Sequence, residues 1–522
     1  MAQYASSTID PRENGETSHL LILHNVAAEE EEAFVLQDSE DAVQHFGSAE
    51  LREKLERSLL RKLDTRLSIL VLIYVLNYID RNNVAAARLR GFEEDLHLTG
   101  SQFATVLSIL YVGYIILQIP SNMTLNYIGK PSLYLPGCMA LWGIISCLTG
   151  TATTYVKKSL WIRDCNWISL VILVHSVRVS SLDSSRQPSS REHWQFLISK
   201  WYKRTELSQR TAYLSSGSLI ASATGSLIAS GILGVMDNAL GVATWRWLFF
   251  IEGGLTVFVA LCAAFILPDF PETSSGWLTA AERSLAIQRI QEESPSGTSS
   301  HHHNQLRTQL DGLRLAVSDP KVWWLAATMG SLTLSLSWNA YFPSIMATIG
   351  YNPTITLLLC APPWFVATAI AITVSRHSDK SGERCWHITV SMGFGLIGFL
   401  LASSTMNAII RYVSLFFMAQ SYTGHVCVLA WASGSISQTP AKRAVALALI
   451  NTVSSLGNVF GSYIWPTKWG PDYSRSFTIC TFANALSIAM CWMFRKHLAS
   501  LNSAAAKKEA LNDEAEGYRY IL

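Results

Sequence analysis

Asp80 and Arg81 are two adjacent ionisable residues that end a long apolar run, in Asn77-Tyr-Ile-Asp-Arg-Asn-Asn83. A charged side chain at the centre of a bilayer costs about 2.5–3.5 kcal/mol on insertion scales, and such residues face a water-filled path and a partner. Arg81 stays charged and can hold a carboxylate through two parallel hydrogen bonds. Asp80 can be neutralised, so it can carry a proton. Asn77 and Arg81 stand four residues apart, on one helix face. An ion pair that only fixes a helix end is the alternative reading of the same residues.

Other polar residues recur at helical spacing inside apolar runs. Tyr111, Tyr114 and Gln118 share one face, ahead of the helix breaker Pro120. Asn451, Ser455 and Asn458 repeat that spacing, and Asn339 and Tyr341 interrupt an apolar run beside Trp338. These faces are candidates to line a cavity; interhelical hydrogen bonding, worth about 0.6 kcal/mol each, is the competing account. Two stripes, Gly217, Ala221, Gly225, Ala229 and Ser218, Ser222, Ser226, Ser230, read as close helix packing.

The elements that must position these residues are membrane helices. The chain has 522 residues, is 49% hydrophobic and only 15% charged, and its mean hydropathy is +0.23. Soluble domains carry about 25% charged residues, so an ordinary soluble enzyme is excluded. The net charge of +2 supplies no field for a polyanion, so nucleic acid is not a partner. A membrane helix needs about 20 apolar residues. Runs near 66–87, 103–125, 132–152, 211–235, 246–267, 321–342, 355–375, 386–404, 409–432, 443–465 and 474–494 satisfy this, and a weaker one lies between Lys158 and Val179. The fold class is all-α, with twelve transmembrane helices in two six-helix halves. The organisation reads as a disordered tail over 1–60, a first half over 61–267, a linker over 268–320, a second half over 321–496 and a tail over 497–522.

Lys and Arg concentrate on the side of the amino terminus, as in Arg57, Arg61, Lys62, Lys130, Lys203, Arg376, Lys380, Lys442 and Arg495. This bias predicts cytoplasmic termini and a cytoplasmic linker, in a multi-pass protein of the plasma membrane. The nine cysteines are scattered without a C-x-x-C, so neither a disulfide framework nor a zinc site is predicted. His301–His303 read as solvated linker, and Asn122, the one glycosylation sequon, falls at the inner end of a span. No phosphate-cradling glycine loop is present, so no enzyme, no cofactor and no ATP drive is predicted. The loop Ser378-Asp-Lys-Ser-Gly-Glu-Arg384 can latch an inner gate: Gly382 permits the turn, Asp379 can answer a helix N-terminus, and Arg384 can pair with an acid.

Asp379-Lys-Ser-Gly-Glu-Arg384 resembles the cytoplasmic loop signature of the major facilitator superfamily, and Asn126-Tyr-Ile-Gly-Lys-Pro131 resembles a degenerate copy. A finer resemblance is to the fungal allantoate/nicotinate permease type of anion:cation symporter. It rests on Leu76–Asn83, Tyr111–Asn122, Ser199-Lys-Trp-Tyr202, Trp245-Arg-Trp-Leu-Phe249 with Ile251-Glu-Gly253, Lys442–Ala446, Asn458–Gly470 and Tyr518-Arg-Tyr520. The resemblance implies a monomer that moves a small organic anion with a proton across a lipid bilayer. It implies proton coupling at Asp80 and anion binding at Arg81. Export of a fungal metabolite by the same fold is the second reading.

One segment departs from that pattern. Where the family carries an acid-bearing fourth span, this chain reads Ser180-Ser-Leu-Asp-Ser-Ser-Arg-Gln-Pro-Ser-Ser-Arg-Glu-His-Trp-Gln195, which is too polar to cross a bilayer. A shifted frame from Leu182 can spell Gly-Leu-Ile-Glu-Ala-Ala-Leu-Phe-Pro-Gly-Ala-Leu. A local frame or splice error over 182–195 follows as a hypothesis, which a transcript clean in the written frame refutes. If the written protein is real, an inactive membrane protein is the third reading.

Overall fold

The computed structural model describes residues 49–98, 101–109, 111–113, 115, 130–151, 201–202, 204–237, 239–269, 277–292, 314–436, 440–512 and 519–521. Among these the secondary structure is entirely helical, apart from turns and loops. The helices are α1 (Ala49–Ala87), α2 (Phe92–Asp95), α3 (Pro131–Gly150), α4 (Arg204–Val235), α5 (Thr244–Ile266), α6 (Ala280–Glu292), α7 (Pro320–Ser335), α8 (Phe342–Ala347), α9 (Pro353–Ser381), α10 (Cys385–Ser404), α11 (Ala408–Ala419), α12 (Ser421–Ser435), α13 (Pro440–Gly461) and α14 (Ser474–Asn512). Among the described residues, seven helical stretches are long and apolar enough to cross a membrane by length and composition. The helices over 101–113 and Val445–Gly461 are shorter and apolar.

The lipid-exposed and packed faces of α5 show why these are membrane helices. Leu255, Phe258, Leu261 and Phe265 are exposed, whereas Glu252, Gly253, Thr256, Ala260 and Ala263 are buried. The greasy side points outward and the one carboxyl points inward, the reverse of a water-soluble surface helix. Gly253 permits a close crossing with α3: a Cβ there would stand 2.8 Å from the Gly143 carbonyl oxygen and 2.7 Å from Cys147 Sγ. The two small-residue stripes of α4 do different work. A Cβ on Gly217 or Gly225 would stand 3.2 Å from Tyr74 or 3.3 Å from Ile79 of α1, so that stripe is a packing seam. Ser222 meets Asn82 at 3.5 Å and Ser230 donates to the Thr354 carbonyl of α9 at 2.8 Å.

Several boundaries differ from the sequence reading. The first helix starts at Ala49, inside the stretch read as tail. The linker contains α6. The helix after 320 changes to a 3-10 turn over Leu336–Tyr341 before resuming as α8, because Pro343 has no N–H to continue the ladder. The run over 409–432 is divided at Gln420 between α11 and α12. The final helix continues to Asn512, where the sequence reading placed a tail, and Asn502 donates to the Tyr520 carbonyl at 2.9 Å.

The chain divides into two compact units, 1–65 with 270–295, and 66–269 with 296–522. In the first, Glu282 of α6 accepts from Lys62 Nζ at 2.8 Å and from Ser58 at 3.1 Å, and buried Arg289 pairs with Glu56 at 2.7 Å. Burial pushes the Glu282 carboxyl up, but Lys62, the Thr279 N–H and Ser58 outweigh it and hold it below the usual carboxylate range. In the second unit, Asp319 caps α7 by accepting from the Lys321 N–H at 3.0 Å, and it pairs with Lys442 at 2.7 Å. Asn352 and Asn407 cap α9 and α11 in the same way, satisfying N–H groups that a helix start leaves open.

Candidate functional site

Asp80 and Arg81 lie near the end of α1, and the helix turns them to different surroundings. Adjacent helical residues are separated by about 100°. Asp80 is 7% exposed and faces the helices before residue 268: Thr256 Oγ1 of α5 donates to it at 3.2 Å and Asn83 Nδ2 at 3.5 Å, with Trp142 of α3 beside it. Arg81 lies 5.4 Å from the Tyr78 ring centroid, and Tyr111 and Tyr422 lie within its electrostatic reach. Among the described residues, the side chains that act on Asp80 are Thr256, Asn83 and Trp142 rather than Arg81. Asn77 is half-buried one turn before Arg81.

Tyr422 of α12 brings in the helices after residue 319. Asn339 Nδ2 donates to its hydroxyl at 3.2 Å. Trp364 of α9 meets its ring edge-on at 5.4 Å, and Trp338 stacks on Trp364 at 5.6 Å. Asn339 sits in the 3-10 turn between α7 and α8, where an irregular stretch within a span exposes polar groups to a cavity. His425 stands one turn beyond Tyr422, with ring centroids 6.1 Å apart. Next to this group a narrow cleft, partly open to solvent, is lined by Asn82, Asn83, Ser222 and Asn339 together with Phe342, Leu357 and Trp364 among others.

The remaining candidates divide between cavity and scaffold. Tyr341 donates to the Ser462 carbonyl at 2.6 Å and stacks on Trp465, so its hydroxyl is committed to packing. Asn451 and Asn458 are half-buried in α13 and offer their backbone carbonyls to Ser455 at 2.8 Å and Ser462 at 2.9 Å. Arg384 pairs with Asp379 of its own loop at 2.5 Å, and Gly382 ends α9 with φ +66°, a left-handed closure that glycine adopts without a Cβ clash. Tyr114, Gln118, Pro120, Asn122, residues 158–179, residues 182–195 and His301–His303 lie outside the described residues.

Sequence reasoning missed Glu252, Tyr422, Tyr78 and His425. Glu252 carried a signal, being an acid inside an apolar run. The aromatic residues carried none, because their types are ordinary for a span.

At the end of the bundle where α1 finishes, the helices before 268 and after 319 are tied together. Arg88 reaches Ser344 at 3.3 Å, and Arg90 reaches Thr354 at 2.9 Å and Asp237 at 3.3 Å. Ser108 and Tyr463 hydroxyls meet at 3.0 Å. Arg88 also pairs with Glu93 at 3.1 Å and lies over the Phe103 ring at 4.6 Å.

Comparison with known proteins agrees with this arrangement. An MFS-type transporter of Penicillium expansum, cnsO, is 28% identical over 446 residues, covering 82% of this chain and 81% of its own length. A putative tartrate transporter of Agrobacterium vitis is 25% identical over 434 residues, covering 82% and 91%. The crystal structure of a D-xylose-proton symporter shares the fold with a TM-score of 0.58 at 16% identity, covering 81% of this chain and 97% of that one. The family model described as Major Facilitator Superfamily matches residues 70–462. A helical bundle with apolar outward flanks and a cleft of mixed lining between its earlier and later helices, together with a family match over most of its length, shows that this chain belongs to the major facilitator superfamily, as a multi-pass membrane transporter rather than an enzyme.

Proposed function

We propose that the protein moves a small organic anion together with a proton by alternating access. The observation that supports this most directly is the placement of Arg81: a permanent cation within a wall of Tyr78, Tyr111 and Tyr422, next to a cleft that also reaches Asn339. A cation with phenol and amide donors around it suits a carboxylate. Asp80 faces away among neutral donors, which suits a group that gains and loses a proton. The tartrate relationship supports a carboxylate cargo.

The ties from Arg88, Arg90 and Ser108 to the later helices close one end. With the termini in the cytoplasm, as the Lys/Arg bias predicts, that end is the outer gate. Asp379, Gly382 and Arg384 lie in a loop at the opposite, cytoplasmic end and serve the inner gate. In the cycle, a proton loads Asp80 and the anion binds at Arg81. The two groups of helices then rock about the site, and both cargoes leave on the other side.

Uptake of a panel of radiolabelled carboxylates, measured at two external pH values, tests the reading. Faster uptake of at least one acid at the lower pH supports it, as does its loss in Arg81→Gln. Uptake indifferent to pH, or a wild-type preference for neutral or cationic solutes, overturns it.

A further inference from the structure

We propose that Glu252 is a second proton-holding group of the transport cycle, forming with Asp80 one buried acid pair inside the earlier helices; the coupling role rests on the proton-linked reading above. Glu252 is 2% exposed, and neither carboxyl oxygen has a hydrogen-bond donor at bonding geometry among the described residues. Asp80 stands within reach of its field, and the Asn83 amide lies beside it. No described Lys, Arg or His pairs with either carboxyl.

Among the described residues, the groups facing the pair are Asn83 from α1, Trp142 and Cys147 from α3, and Thr256 from α5 itself. None of them supplies a positive charge. Arg81, the nearest basic residue along α1, is turned toward Tyr78, Tyr111 and Tyr422.

A carboxylate buried without a cation or a donor is held as the neutral acid, because nothing replaces the water it has left. Two carboxyls in one dry site do not both ionise, so they titrate as a unit. The donors are unevenly shared. Thr256 donates to Asp80 and Trp142 stands beside it, whereas Glu252 has only the Asn83 amide, which it shares with Asp80. With one proton in the site, Glu252 keeps it and Asp80 carries the charge. With two, both are neutral. When Glu252 gives its proton to the Asp80 carboxylate, the O–H bond on Glu252 breaks, one forms on Asp80, and the site's net charge is unchanged. Asp80 then gives up that proton past Asn83, which contacts it and also lines the cleft, and Glu252 is refilled by the next proton to arrive. Glu252 acts as the reservoir behind Asp80, on the side of α1 away from the anion.

Infrared difference spectroscopy on purified protein, paired with transport in proteoliposomes, tests this. The wild type is expected to show a protonated carboxylic-acid band at neutral pH. That band disappears in Glu252→Gln and survives in Asp80→Asn. In vesicles, Glu252→Gln is expected to lose gradient-driven accumulation at least tenfold while counterflow exchange of the same acid persists. Absence of the band in the wild type overturns the proposal without any variant having to fold. So does a band unchanged by Glu252→Gln, or Glu252→Gln accumulating like wild type. If the wild type accumulates none of the acids tested, yet the band vanishes with Glu252, the organic-anion reading has failed and the buried acid pair stands.

Discussion

The helices before residue 268 and those after residue 319 place their charge differently. The earlier group buries two acids, Asp80 and Glu252, within spans and without ion pairs among the described residues. The later group lines its side of the cleft with neutral residues, Asn339, Phe342, Leu357 and Trp364 among them, backed by Trp338 and Tyr422. Its buried ionised pair, Asp319 with Lys442, sits at a helix start and is fully matched. A matched pair holds a structure in one state. An unmatched acid is free to change protonation, and neutral hydrogen-bonding walls can grip a cargo without competing for the proton. On the proposed reading, the contrast puts proton chemistry and the anion's cation in the earlier helices and neutral contacts to the cargo in the later ones.

Four measurements break or sharpen that contrast. The largest effect belongs to stability. Lys442→Met strands the Asp319 carboxylate, and breaking a buried ion pair in this way costs about 3–5 kcal/mol. The melting temperature in detergent is expected to fall sharply while the pH dependence of transport stays as in wild type. A variant that melts normally but loses coupling would reverse the assignment.

The same pair has an acid signature. Burial pushes the Asp319 carboxyl up, but Lys442 and the Lys321 N–H hold it below its ordinary range. A depressed folded-state value means the stabilisation is complete above the ordinary carboxylate range, about pH 3.9, and is lost as pH falls through the lower folded value. Wild-type melting should drop more steeply than that of Lys442→Met across that acid window; parallel curves would remove Asp319 from the account.

Third is Arg81→Gln. A hydrogen bond to a charged group contributes about 1.5–3 kcal/mol, so half-saturation for a carboxylate cargo should rise roughly 10- to 150-fold, with Arg81→Lys recovering part of it. Unchanged affinity would move the anion away from α1.

The smallest is Tyr422→Phe, which removes the hydroxyl that accepts from Asn339. A neutral hydrogen bond contributes about 0.5–1.5 kcal/mol, so affinity should weaken about two- to tenfold. The pH profile should not move. A shifted profile in Tyr422→Phe would show that proton chemistry is not confined to the earlier helices.

The composition and the long apolar runs were enough to place this chain in a membrane as a helical bundle, because hydrocarbon leaves a backbone few alternatives to the helix. Asp80 and Arg81 stood out as candidates as well, since ionisable residues are conspicuous in apolar runs. Sequence order could not show that neighbours in the chain face opposite ways. A helix rotates each successive side chain, and only the packing of α1 against α3, α4 and α5 fixes which one meets Thr256 and which one meets the tyrosines. Glu252 stood out in the same way as an acid in an apolar run, but its nearness to Asp80 did not: that depends on the close approach of Gly253 to Gly143 and Cys147, which draws α3 and α5 together. The same limit hid Tyr422, which meets Asn339 from 83 residues away. Residue type and spacing determined what chemistry was possible; tertiary packing decided which groups share a site, because burial and partnership depend on distances that span the chain.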